Sequence, residues 1–155
     1  MKTLLTKKCM TTSSKILLIG NDTIVRFNWG VKDKGRTDVW VDALLHHEKK
    51  IRHHYMKAGH PEIWRLNGES RARMSHMPSE WYPKTTFIDV KDYKKMRSQF
   101  KSSWKPSIGY VCIWWLLNVQ NERDITITGF DSGHDWKKER LFLEALISDG
   151  SLKRL

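Results

Sequence analysis

The chain has 155 residues, with 28 Lys and Arg against 17 Asp and Glu (formal net charge +11) and two cysteines, Cys9 and Cys112; it is long enough to bury one core as a single domain. Two cysteines without metal-ligand spacing exclude a disulfide scaffold, and no apolar run approaches the roughly 20 residues that a membrane span needs. The basic balance favours anionic partners (nucleic acid, a nucleotide or an anionic glycan) without choosing among them, and a cytoplasmic protein is expected.

Residues 1–14 are basic and hydroxyl-rich and lack the continuous apolar stretch of a signal peptide. They are expected to form a flexible N-terminal segment, whether disordered, an alternative start or a pairing arm, ahead of one α/β domain over residues 15–155. Residues 15–20 (KILLIG) are an apolar run closed by Gly-Asn-Asp, the pattern of a buried parallel strand ending in a polar turn. Residues 23–29 (TIVRFNW) and 37–41 (TDVWV) are further strands around a polar loop. Asp42 caps a helix through Ala58, which Gly59 and Pro61 end.

Strands are expected over 62–66 and 85–90, flanking a long polar stretch that suits a lid or acceptor loop. A short basic helix over 92–100 carries Lys94, Lys95 and Arg97 on its polar side. Pro106-Ser107 then starts a helix whose body, 108–118, is apolar on most of its surface; Cys112 lies within it as a buried thiol. A strand at 124–131 and a helix at 136–149 complete the order of an α/β sandwich with a largely parallel sheet.

Four segments carry candidate chemistry. Ile19-Gly-Asn21 closes the first strand, where Gly20 lets a phosphate or sugar approach the backbone and Asn21 offers donor and acceptor; an ordinary turn has the same composition. Val25-Arg-Phe-Asn28 sets Arg26 and Asn28 on one strand face, where solvent exposure is the simpler expectation. Pro106-Ser-Ile-Gly109 opens a helix with outward amides and no side chain at Gly109, a start that can hold an anion or simply be capped by Ser107. His134 and Glu139, spaced H-x4-E, fall where a strand gives way to a helix, the place α/β enzymes favour for catalytic groups.

In this order the segments resemble the sialyltransferases of glycosyltransferase family 29. Ile-Gly-Asn, Val-Arg-Phe-Asn and Gly35-Arg-Thr-Asp-Val39 are similar to the large sialylmotif, Pro-Ser-Ile-Gly and Thr128-Gly-Phe130 to the small one, and His134 to Glu139 to the very small one. The resemblance, to a compact microbial or bacteriophage relative, implies a Rossmann-like GT-A variant with three layers. It further implies a CMP-linked sugar as donor, a glycan or other hydroxyl as acceptor, and no metal or other cofactor. It places Asn21 and Asn28 against the cytidine monophosphate, with Ser107 and Gly109 at the helix start, Gly20 in the first motif and Gly129 near the ribose. His134 becomes the general base for an inverting transfer, and Glu139 orients its loop. Only Asp22-Thr23-Ile24 stand where the family carries a longer nucleotide-binding loop, and the family's His-Tyr pair before the last motif is missing. A noncatalytic nucleotide- or nucleic-acid-binding protein on the same scaffold, or a phage-encoded interaction protein, are the alternatives.

His46 and His53 stand about 10.5 Å apart along a helix, too far to share one ion, so the histidines with Lys49, Lys50, Arg52 and Lys57 read as a solvated basic face or a nucleic-acid footprint. Of eight tryptophans, Trp114 and Trp115 are expected in the core; Trp64, Trp81 and Trp104 are expected to pack under loops.

Overall fold

The structure is a computed structural model that describes residues 15–33, 35–42, 48–66, 79–100, 106–130 and 136–155. The strands are β1 (Ile16–Ile19), β2 (Thr23–Phe27), β3 (Val39–Val41), β4 (Glu62–Leu66), β5 (Thr85–Ile88), β6 (Ile125–Thr128) and β7 (Lys153–Arg154). The helices are α1 (Glu48–Lys57), α2 (Val90–Ser98), α3 (Ile108–Asn118) and α4 (Trp136–Ser148), with 3-10 segments at Asn28–Lys32 and Ser79–Lys84. One seven-stranded sheet has the order β5-β4-β3-β2-β1-β6-β7. The fold is therefore α/β with a mostly parallel sheet, compatible with a Rossmann-like arrangement. Among the described residues no helix is long and apolar enough to cross a membrane.

One strand departs from the expected direction. β1 is antiparallel to both neighbours, with Ile16 opposite Arg26 on β2 and opposite Thr128 on β6, so the reading of residues 15–20 as a parallel strand is corrected. Only Gly20, Asn21 and Asp22 separate Ile19 from its partner Thr23, whereas a parallel crossover needs about a dozen residues or more. Gly20 turns the chain in the left-handed region (φ 61) and donates its N–H to the Asp124 carbonyl at 2.8 Å. The apolar run does not reveal this, because a strand covered on both faces is apolar whichever way its neighbours run. β2 to β7 all point the same way.

The two sheet faces differ. On one, Leu17, Val25, Val41, Trp64 and Ile127 pack with Met96 of α2, the buried residues of α3 and Leu143 of α4. Gly109 through Leu117 are all buried, as the apolar composition of this helix requires; Trp114 and Trp115 are core residues, and burial pushes the Cys112 thiol up from its ordinary value. On the other face Trp40 and Ile63 pack with Val31, with Ile51 and Tyr55 of α1, and with Trp81 from the second 3-10 segment. Trp81 stands edge-on to Trp40 at 5.4 Å, so the stretch expected to be polar loop ends in a core anchor. Arg52, His53, Met56 and Lys57 form the exposed side of α1, and Arg52 pairs with Glu80.

This second face also carries buried charge. Arg26 is not solvent-facing as expected but fully buried, its Nε donating to the Arg36 carbonyl at 3.2 Å and its Nη1 lying 3.8 Å from Asp33. Asp42, expected as a helix cap, is buried and ion-paired to Arg65 on β4 (Nε to Oδ2, 3.7 Å), while its backbone N–H donates to the Trp64 carbonyl. Residues 43–47, on which the expected start of the helix at Asp42 falls, lie outside the described residues. Smaller boundary shifts have local causes. β2 stops at Phe27 because Asn28 turns left-handed (φ 48), and α2 starts at Val90 because Asp89 caps it, accepting from the Lys91 N–H at 2.8 Å.

Removing one partner of the buried Asp42–Arg65 pair takes this ion pair away from a charge that stays buried. Arg65→Met is expected to cost about 3–5 kcal/mol in urea unfolding, and Asp42→Leu with Arg65→Met to recover most of it. A double variant as unstable as the single one would mean that the pair is not the source.

Candidate functional site

Because β2 and β6 run the same way, their carboxyl ends lie at one edge of the sheet, with the start of β1 between them. That edge is where ligands bind in open α/β sheets. Phe27 ends β2 and Phe130 follows β6, and their rings meet edge-to-face at 5.8 Å. Lys15, brought here by the reversal of β1, holds its ammonium 5.4 Å over the Phe130 ring.

The start of α3 is tied to the same edge. Ser107 is its N-cap and its Oγ accepts from the Tyr110 N–H at 3.3 Å, half of a capping box. The other half comes from a different helix: Glu139, in the first turn of α4 and only 3 % exposed, accepts the Ser107 backbone N–H at 2.5 Å. The carboxylate that a capping box normally takes from its own third helical residue is thus supplied 32 positions away. Glu139 is a positioning residue here, fixing α4 against α3 and facing the positive end of α3. Gly109 is needed for contact: a Cβ there would lie 2.9 Å from Cε1 of Phe130, a ring already held against Phe27.

Of the residues expected to form the site, Asn28, Ser107, Gly109, Gly129 and Glu139 share this edge. Asn28 has a local reason to be asparagine, since it takes a left-handed conformation that asparagine tolerates; its carbonyl accepts the Trp40 Nε1–H at 2.9 Å. Gly129 is also left-handed (φ 73), where the chain leaves β6. His134 lies in the following connection, outside the described residues. Gly20 and Asn21 do not join the others: the hairpin sets them beside Asp124, at the opposite end of β1. At about 3.3 Å per residue, that end is roughly 13 Å from the edge bearing Asn28 and Gly129.

The site can attract an anion only at particular atoms. Ser107's amide is taken by Glu139 and Tyr110's by Ser107 Oγ, which leaves the Ile108 and Gly109 amides as the ones neither bond uses. Burial, with the Glu139 carboxylate adding to it, pushes the Tyr110 hydroxyl up to about 12. Among the described residues no group of three or more His, Cys, Asp or Glu is arranged to hold a metal ion. Lys15, Phe130 and Tyr110 were not among the sequence candidates; Lys15 had no visible signal because its place depends on the direction of β1.

Comparison with protein-family models, curated proteins and solved structures finds no match to this chain.

Two outcomes follow from the Glu139 contact and the Tyr110 burial. Glu139→Ala leaves the Ser107 amide without its acceptor and is expected to lower stability by about 1–3 kcal/mol, while Glu139→Gln, which keeps a carbonyl oxygen there, loses less; thermal unfolding of both reads the difference. For Tyr110, the folded value lies above the ordinary 10, so the folded state keeps its proton longer. Its contribution is complete below about pH 10 and lost as pH rises through about 12, a loss of order 2 kcal/mol. Tyr110→Phe should flatten the alkaline stability profile in that window, leaving the slope due to Cys112; an unchanged profile would assign the loss elsewhere.

Proposed function

We propose that this chain is a small glycosyltransferase similar to the sialyltransferases, on a three-layer Rossmann-like GT-A variant, moving a sugar from a CMP-linked donor to an acceptor hydroxyl. The observation that carries the reading is the contact of the α3 start with the segment after β6, through Gly109 and Phe130, with Glu139 tying α4 to α3 there and Asn28 following the neighbouring carboxyl end of β2. In the proposed reaction the acceptor oxygen attacks the anomeric carbon with inversion and His134 takes its proton. The bond from that carbon to the phosphate breaks, and CMP leaves with the bonding electrons. The Ile108 and Gly109 amides, with Lys15 nearby, are the groups that favour the departing charge, and the proposed reaction uses no metal.

A second reading, a noncatalytic nucleotide- or nucleic-acid-binding protein on this scaffold, draws on the formal net charge of +11 and the short Asp22-Thr23-Ile24 link; the place of Gly20 and Asn21 at the far end of β1 takes away donor contacts under either reading.

Thermal unfolding with cytidine nucleotides tests both. CMP at about 100 times its dissociation constant should stabilise the fold by about 2.7 kcal/mol. His134→Ala should keep that stabilisation and abolish sugar transfer to a hydroxyl acceptor. Stabilisation without transfer by the unaltered chain supports the binding protein, and absence of stabilisation by every cytidine nucleotide overturns the transferase and the nucleotide-binding protein alike.

A further inference from the structure

We propose that the cleft between the 3-10 turn after β2 and α1 is a second binding site, for a small phosphate-bearing ligand of nucleotide or sugar-phosphate size. It lies on the Trp40 face of the sheet, away from α3, and is independent of the transferase reading. The cleft has a volume of about 380 Å3, within the range of small-molecule sites; Val31 and Ala58 supply its apolar wall, Lys32 and Lys57 its positive charge and His54 an imidazole.

The charge in this cleft is unbalanced. Asp33 is the carboxylate among the described lining residues, and it faces inward to the buried Arg26 at 3.8 Å. Lys57 makes no hydrogen bond or ion pair among the described residues, and Lys32 points its ammonium over the Trp29 ring, 5.1 Å from the centroid. His54 is held below its ordinary pKa, first by burial and then by His53, Lys32 and Lys57, so both lysines of the cleft bear on its imidazole. Placement in the last turn of α1 accounts for His54 and Lys57, which suit the negative end of that helix. It does not account for Lys32, which comes from another element and completes the cluster. Two lysines flanking an imidazole bind phosphate as point charges, and the half-exposed Trp29 ring beside Lys32 offers a flat apolar surface for a base or sugar.

The test is a titration of the whole chain, followed by the NMR resonances of the His54 ring, with inorganic phosphate, pyrophosphate, CMP and a hexose phosphate. Binding in the cleft should shift the His54 signals and raise its pKa against the opposing pull of His53, Lys32 and Lys57, with Asp33 already engaged. Tighter binding of CMP or the hexose phosphate than of inorganic phosphate identifies an organic phosphate as the ligand. Lys32→Met and Lys57→Met, both at exposed positions, should each weaken binding about tenfold or more. Lys153→Met, which removes the same charge at the β7 edge, should not. The proposal is overturned if no phosphate probe moves the His54 signals, if Lys153→Met weakens binding as much as the cleft variants, or if only duplex DNA binds and does so regardless of Lys32 and Lys57.

Discussion

Gly20, Asn21 and Asp22 are too few to carry the chain back along the sheet, so β1 and β2 can meet only as a hairpin, and the placement of the site follows from that. The reversal sends Gly20 and Asn21 to the amino end of β6 and brings Lys15 to its carboxyl end, above Phe130. A polar turn is exchanged for a cation at the edge where the other candidate residues gather. The same constraint leaves β2 and β6 parallel on either side of β1, so their ends, carrying Asn28 and Gly129, open at one edge of the sheet.

At that edge the start of α3 is held by a carboxylate rather than left open. Glu139 satisfies the Ser107 amide from outside the helix, which orders the junction of α3 and α4 but places negative charge where a phosphate would otherwise be favoured most. Any anion at this edge must therefore use the next two amides and a cation from another strand. Ile108 and Gly109 supply the amides, Lys15 the cation. Gly109 adds a steric reason: it lets Phe130 close against the helix, so that the loop after β6 and the helix start are in direct contact. Position 109 and position 139 thus serve one purpose, fixing the α3 start against the segment that leads to His134.

Much of this was legible in the sequence, and the failures have physical causes. Periodicity located α3 because nearly all of its surface is buried, and β2 to β6 because alternation or continuous apolarity marks covered strands. The association of Ser107, Gly109, Gly129 and Glu139 was legible as an ordered set of motifs, and the structure gathers those four. The direction of β1 is erased from KILLIG by burial on both faces and is written instead in the three-residue link to β2, which is too short for a parallel crossover. Arg26 was expected to face solvent because an isolated charge in a strand pattern signals it, and the ion pair of Asp42 left no mark in the sequence. Their partners lie across neighbouring elements, Asp33 in a loop and Arg65 on β4, where sequence adjacency says nothing. β7, two exposed residues long, has too little pattern to register at all.

The buried charges on the Trp40 face also explain why the register of the parallel strands is unambiguous. Val41 pairs with Trp64, so Asp42 and Arg65 fall opposite one another just past the end of β3. A slip of one residue in β4 would turn Arg65 to the other face, into the packing that Trp64 makes with Trp115, and would leave Asp42 buried without its cation. An apolar pair could be as stable in place, because burying two charges costs much of what their attraction returns. It would not penalise the slip in the same way, since an apolar side chain is tolerated on either face of a sheet covered on both sides. The charges therefore discriminate against wrong pairings more than they stabilise the right one. Through Asp33, which Arg26 holds from beneath, that same layer of buried charge also forms the inner wall of the cleft between the 3-10 turn and α1.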